Sequence, residues 1–230
     1  MSEAPIDVTV IVGDVYDALA AGADPAQANP MSAYLKNQFP CLGVKAGPRR
    51  QAQRASLNLL TQTNGDTVVD FARRCWQQPH REMQYVGCDA LRKHSKVLEP
   101  NHLDPVGELI TTKSWWDTVD SLAVHTVGSL VRRHQQLAHV MDRWVHHDNI
   151  WLARTAILHQ LSYKENTDTE RLFGYATTRA GDSEFFIRKA IGWALRQYAR
   201  VDPLAVRQFV SDHEHELSGL TKREAMKHLG

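Results

Sequence analysis

Apolar residues along this chain recur at spacings of three and four, and the period-two alternation of half-buried strands is almost absent. The β-branched run "VTVIV" at residues 8–12 reads equally as a strand or as part of a helix with Val8, Val12, Val15 and Leu19 on one face. The rest divides into helix-length segments broken by Pro, Gly, Asn and Asp. Among them are "DTVVDFARRCWQQ", "REMQYVGCDALRKHSKVL", "KSWWDTVDSLAVHTVGSLV", "NIWLARTAILHQLSY" and "SEFFIRKAIGWALRQYAR". Connections of a few residues predict antiparallel helix pairs.

The segments also repeat. Candidate N-caps Ser114, Asn149 and Ser183 lie 35 and 34 residues apart, and the aromatics Trp115, Trp151 and Phe186 lie 36 and 35 apart. Pro79 is 35 residues before Ser114, and Ser218 is 35 after Ser183. A period near 35 with two helices per unit is the signature of an α-solenoid, in which each pair buries its apolar stripe against its neighbours. The expectation is an all-α fold, a single domain over residues 1–230. Its helix pairs curve into a compact C-shape with a concave face.

Composition narrows the class. At 230 residues and 43% hydrophobic, the chain is long enough for a full core. No apolar stretch reaches the ~18 residues of a membrane span, and the acidic start "MSEAPIDVTVIVGD" lacks the basic region of a signal peptide. Cys41, Cys75 and Cys88 have no CxxC spacing, so reduced thiols in a cytoplasmic protein are expected rather than disulfides or zinc. Net charge is +1, but residues 1–40 carry −4, which leaves +5 on the remainder. That bias permits a phosphate-binding face without demanding one.

Candidate chemistry gathers in three of the repeating segments. On a helix from Ser114, Trp115, Val119 and Leu122 form the core stripe, while Trp116 and Asp120 share the adjacent face at i and i+4. That face reads either as a partly buried indole with a solvated carboxylate or as part of a site. In "NIWLARTAILHQL", Ile150, Ile157 and Leu161 form the core stripe and Arg154 is the lone charge. It needs an anion, either a protein carboxylate or a phosphate. Lys189, Trp193, Arg196 and Arg200 fall at i, i+4, i+7 and i+11, with Phe186, Ala190 and Ala194 on another face. This basic stripe with an indole in it reads either as a solvated face or as a surface that tracks a nucleic-acid backbone. The common phase puts Trp116, Asp120, Arg154 and Trp193 on one wall.

The blocks "YLKNQFPCLGV", "REMQYVGCDAL", "SWWDTVDSLA", "NIWLARTAILHQLSYK", "SEFFIRKAIGWALRQYA" and "LTKREAMKHL" occur in order from about Ala23 to Leu229. In this the chain resembles the DNA alkylation repair glycosylases of the AlkD type, built of HEAT-like repeats. The resemblance implies a catalytic carboxylate at Asp120, active-site indoles at Trp116 and Trp193, and a lesion-proximal Tyr34. It implies phosphate contacts from Arg154 and Arg196, and Lys164 and Lys189 join them as DNA-binding candidates. It further implies release of N3- or N7-alkylated purines from duplex DNA by a monomer that needs no cofactor, without a base pocket. Cys41 departs from the aromatic common in the "FPxLG" block, and the acidic N-terminal extension is a second departure.

Other motifs carry less. His146 and His147 diverge on a helix, His213 and His215 do not share a face, and HExxH is absent, so no metal is expected. No glycine loop suited to phosphate occurs. Two other classes compete with the glycosylase: a non-catalytic repeat protein that binds damaged or branched DNA, and a protein-binding scaffold. The scaffold explains neither the Asp/Trp/Arg set nor the basic stripe, and a non-catalytic relative would be expected to lack Asp120 or a tryptophan.

Overall fold

The computed structural model describes residues 7–229, and the described residues form helices and turns with no strand. The fold is all-α. The chain divides into two units between Lys113 and Ser114.

The first unit holds α1 (Val8–Ala21), α2 (Pro25–Tyr34), α3 (Ala46–Ala52), α4 (Arg54–Leu59), α5 (Gly65–Gln77), α6 (Arg81–Lys93) and α7 (Leu103–Thr111). The β-branched run lies inside α1, where Val8, Ile11, Val12, Val15 and Leu19 are all buried. Burial at about 1.5–3 kcal/mol per side chain outweighs the few tenths of helix propensity that β-branching costs. The Asp7 carboxylate starts the helix by accepting from the Thr9 amide at 2.9 Å. Helix α7 has no counterpart among the segments read from the sequence, because Pro105 and Gly107 look like breakers. Pro105 falls in the first turn, where its missing N–H costs nothing.

The "FPCLGV" block is a loop clamped to the start of α6. The carboxylate of the fully buried Glu82 accepts from the amides of Leu42, Gly43 and Val44 at 3.0, 2.9 and 3.1 Å. Three amides thus replace a counter-cation. Gly43 has φ +89°, and a Cβ there would lie 2.0 Å from the Asp24 carbonyl oxygen, so the turn requires glycine. The Arg81 guanidinium covers the Phe39 ring at 3.9 Å. Cys41 is buried in this loop.

The second unit holds α8 (Trp116–Ser121), α9 (Gly128–Arg133), α10 (Ala138–Trp144), α11 (Ile150–Leu158), α12 (Thr169–Thr178), α13 (Phe185–Tyr198), α14 (Pro203–Asp212) and α15 (Gly219–Met226). A π-helical turn, Leu122–Val127, joins α8 to α9 in one continuous helix. Helices α8, α11, α13 and α15 pack in a row, each against the next. Their N-caps are Trp115, Asn149, Glu184 and Ser218, which keeps the spacing of about 35 residues.

Two caps differ from expectation by one residue: Trp115 and Glu184 replace Ser114 and Ser183, and neither makes a side-chain cap bond. Trp115 has extended backbone, φ −158° and ψ 158°, so it precedes the helix rather than joining its first turn. Its ring packs on Trp151 and Phe186, with centroids 5.9 and 5.1 Å away. Aromatic packing of Trp115 on residues of α11 and α13 therefore sets this end of the helix. Val119 and Leu122 are fully buried, as the stripe predicts, whereas Ile150 and Leu161 are half-buried.

His159 gives this unit a pH dependence. It is 1% exposed, its Nδ1 lies 2.6 Å from the Ala156 carbonyl oxygen, and burial lowers its pKa to about 4. The unfolded chain takes up a proton near pH 6.5 and the folded chain near pH 4, so stability is lost as pH falls through that window. The loss should approach about 3 kcal/mol. Urea midpoints measured from pH 7 to pH 4 should fall more steeply for the wild type than for His159→Asn. Equal slopes would remove His159 as the cause.

Candidate active site

The row of helices α8, α11, α13 and α15 presents one side chain after another to a single cleft of 360 Å³. Helix α8 supplies Trp116 and Asp120, α11 supplies Arg154, and α15 supplies Glu224. The long helix α13 supplies Phe185, Phe186, Lys189, Trp193 and Arg196. Phe186 also joins Trp115 and Trp151 in an aromatic cluster, its ring 5.0 Å from that of Trp151.

At its centre is a forked ion pair. Arg154 Nε donates to Asp120 Oδ1 at 2.7 Å, and Nη2 donates to Oδ2 at 2.8 Å. The remaining nitrogen, Nη1, donates to the Phe186 carbonyl oxygen. Arg154 is 4% exposed. Of the two anions the sequence left open for it, a protein carboxylate is the one it meets. This bidentate geometry fixes the plane of the Asp120 carboxylate. Burial raises the Asp120 pKa, and the bond and charge of Arg154 oppose that rise. Two of the ~four lone-pair positions of the carboxylate are thus committed to Arg154.

The basic stripe on α13 is paired as well. Lys189 Nζ lies 2.7 Å from Glu224 Oε1, and Arg196 Nη1 lies 2.8 Å from Glu224 Oε2. Trp193 sits one turn after Lys189 and lines the same wall. Phe185, 56% exposed, adds an aromatic edge at the cleft. Arg200 lies beyond the end of α13, so the stripe serves the cleft only as far as Arg196.

The two remaining candidates are not among the side chains that line this cleft. Tyr34 is the last residue of α2, 69% exposed, and the left-handed residues Lys36 and Asn37 follow it. Lys164 also has a left-handed backbone, φ 54°, and lines a separate cavity with Gln160, Gln197 and Arg200. Glu224 and Phe185 were not singled out in the sequence. Glu224 follows Lys189 by 35 residues, so repeat phase alone would have placed it beside that lysine.

A sequence model of the DNA alkylation repair enzyme family matches residues 15–229. The chain belongs to that family. A solved structure described as a predicted DNA alkylation repair enzyme from Enterococcus faecalis superposes with a TM-score of 0.85 at 30% identity. The alignment covers 90% of this chain and 97% of the other. No curated protein matches the chain. Family membership makes this chain a DNA alkylation repair enzyme in kind, with DNA as the implied partner. Among the described residues no helix is long and apolar enough to cross a membrane.

Proposed function

We propose that this cleft hydrolyses the N-glycosidic bond of N3- and N7-alkylated purines in duplex DNA, the first step of base excision repair. The observation that carries the reading is the part-buried carboxylate of Asp120, held flat by Arg154 in a cleft shared with two indoles. An alkylated purine of this kind is a cation. When its bond to C1′ breaks, the base leaves with the bonding electrons and becomes neutral, and the positive charge moves to the sugar. Water then adds at C1′ and loses a proton, giving an abasic sugar.

Asp120 supplies negative charge beside that sugar cation and accepts the proton from water. Trp116 and Trp193 face the cation with their π-surfaces, at about 2 kcal/mol or more when desolvated. A preorganised electrostatic group is worth about 3–4 kcal/mol. Together they reach ~7–8 kcal/mol, or about five to six orders of magnitude in rate. That is enough for a base already poised to leave and too little for an unmodified one. Selectivity then follows from the lesion's own lability.

Arg154 acts here as a positioning residue for Asp120, and Lys189 and Arg196 meet the DNA backbone. Tyr34, as the lesion-proximal tyrosine, and Lys164 are further proposed DNA contacts.

Incubation with a duplex carrying 7-methylguanine should release the free base and leave an abasic site, read by chromatography. Duplex affinity should fall with salt at a log–log slope of about −0.9 per phosphate neutralised. Tight duplex binding with no base released would favour the non-catalytic reading. Neither binding nor release would defeat both.

A further inference from the structure

The three cations of the cleft are shared unevenly between its two carboxylates. Asp120 holds Arg154 alone, whereas Glu224 bonds Lys189 and Arg196 at once, one through each oxygen. Those two cations are i and i+7 on α13, two turns apart, with Trp193 between them. The fold is built to deliver Glu224 to this spot. A Cβ on Gly192 of α13 would lie 2.5 Å from the Glu224 Cβ and 2.9 Å from the Thr221 carbonyl oxygen, so α15 sits close only because residue 192 is glycine. Buried Thr221 then ties the helices together through a 3.2 Å bond from its hydroxyl to the Arg188 carbonyl oxygen. Lys189 and Arg196, with Lys227 nearby, hold the Glu224 carboxyl below its usual pKa, so it remains an anion.

Two anionic oxygens on one centre, each on a different cation, is also how a phosphodiester would sit on Lys189 and Arg196. We propose that Glu224 is an internal stand-in for a DNA phosphate, occupying Lys189 and Arg196 in the free protein and yielding them only in exchange. A DNA strand that reaches these cations must displace a carboxylate already bonded to both, so its net gain is small. Unmodified duplex, which offers the cleft little beyond phosphates, is held weakly. A cationic nucleotide is additionally attracted by Asp120 and the indoles. Glu224 thereby acts on binding through Lys189 and Arg196. This rests on the reading of the cleft as a duplex-DNA surface, but not on any bond being cleaved there.

The test is a set of binding titrations of unmodified duplex across a salt series. Glu224→Gln keeps the size of the side chain and removes its charge. It should tighten binding about tenfold at low salt and steepen the log–log slope by about 0.9 for each cation that newly reaches a phosphate. Lys189→Gln alone should cost less than about threefold while Glu224 is present, and about tenfold once Glu224 is Gln. A wild-type protein that binds duplex, with affinity and slope unmoved by Glu224→Gln, overturns the proposal and leaves the DNA reading standing. A tenfold loss from Lys189→Gln alone overturns it equally, and needs no Glu224 variant to fold. The same tightening by Glu224→Gln when Lys189 and Arg196 are both Gln would make Glu224 a diffuse charge rather than a phosphate mimic. If the wild type binds no duplex, the underlying reading fails together with the proposal.

Discussion

Asp120→Asn is expected to lower single-turnover release of 7-methylguanine by about 10² or more, the worth of one preorganised electrostatic group. The substitution keeps the size of the side chain and one carbonyl acceptor, but removes the negative charge and the proton acceptor. Duplex affinity should hold or rise. In the wild type, Arg154 is committed to Asp120 through two bonds, and asparagine can answer only one of them. The freed edge of the guanidinium then becomes available to a phosphate. Trp116→Ala and Trp193→Ala should instead lower both rate and affinity for lesioned DNA, because each removes contact area along with π-charge. The signature is a split, with rate lost alone at Asp120 and both lost at the indoles. Base release at saturating enzyme, beside equilibrium titrations and thermal melts, reads all three variants. Parental excision by folded Asp120→Asn would make the carboxylate structural and end the mechanism proposed here.

Much of this arrangement was legible because the repeat period is carried by side chains with one job each. Trp115, Trp151 and Phe186 recur near 35 residues, and they do pack on one another. The same phase brings Asp120, Arg154 and Trp193 to one cleft. Periodicity is less informative where a residue serves tertiary packing against its local habit. The apolar stripe places Trp115 at the first core position of α8, but it leaves the helix to join the aromatic cluster and becomes the cap. Pro105 and Gly107 hid α7, since a first-turn proline and a breaker look alike without knowing where the helix begins. The π-helical turn after Ser121 has no pattern of its own in the sequence.

Charge pairing was harder to read than position. A lone arginine in an apolar helix announces that it needs an anion and not which one, because carboxylate and phosphate oxygens satisfy the same fork. Asp120 lies 34 residues before Arg154 and Glu224 lies 35 after Lys189, so the partners were recorded in the phase. What phase cannot supply is the reach of each side chain across neighbouring helices. The outcome changes the character of the wall. It is a set of internal ion pairs rather than a bare basic stripe.

That distinction makes Arg154→Ala the sharper experiment. With Arg154 present, burial pushes the Asp120 pKa up while the guanidinium bond and charge hold it down. Removing the guanidinium leaves burial unopposed, so the carboxyl rises further and takes up a proton at higher pH. Since the mechanism needs the anion, the acid limb of the pH–rate profile should move to higher pH. The rate at the limb's plateau should also drop, because the fork no longer fixes the carboxylate plane. Loss of a partner from a buried pair typically costs 3–5 kcal/mol, here shared between stability and catalysis, so a fall of about 10² in rate near neutral pH is expected. Arg154→Lys should recover part of the limb position, which depends on charge, and little of the plateau, which depends on the fork. A phosphate ligand would behave differently. Its loss would weaken duplex binding by about 1.5–3 kcal/mol and leave the acid limb in place. Single-turnover rates from pH 5 to pH 9 for wild type, Arg154→Ala and Arg154→Lys, beside duplex titrations, separate the two. An unmoved acid limb with weakened binding would return Arg154 to the backbone contacts and leave Asp120 without its orienting partner.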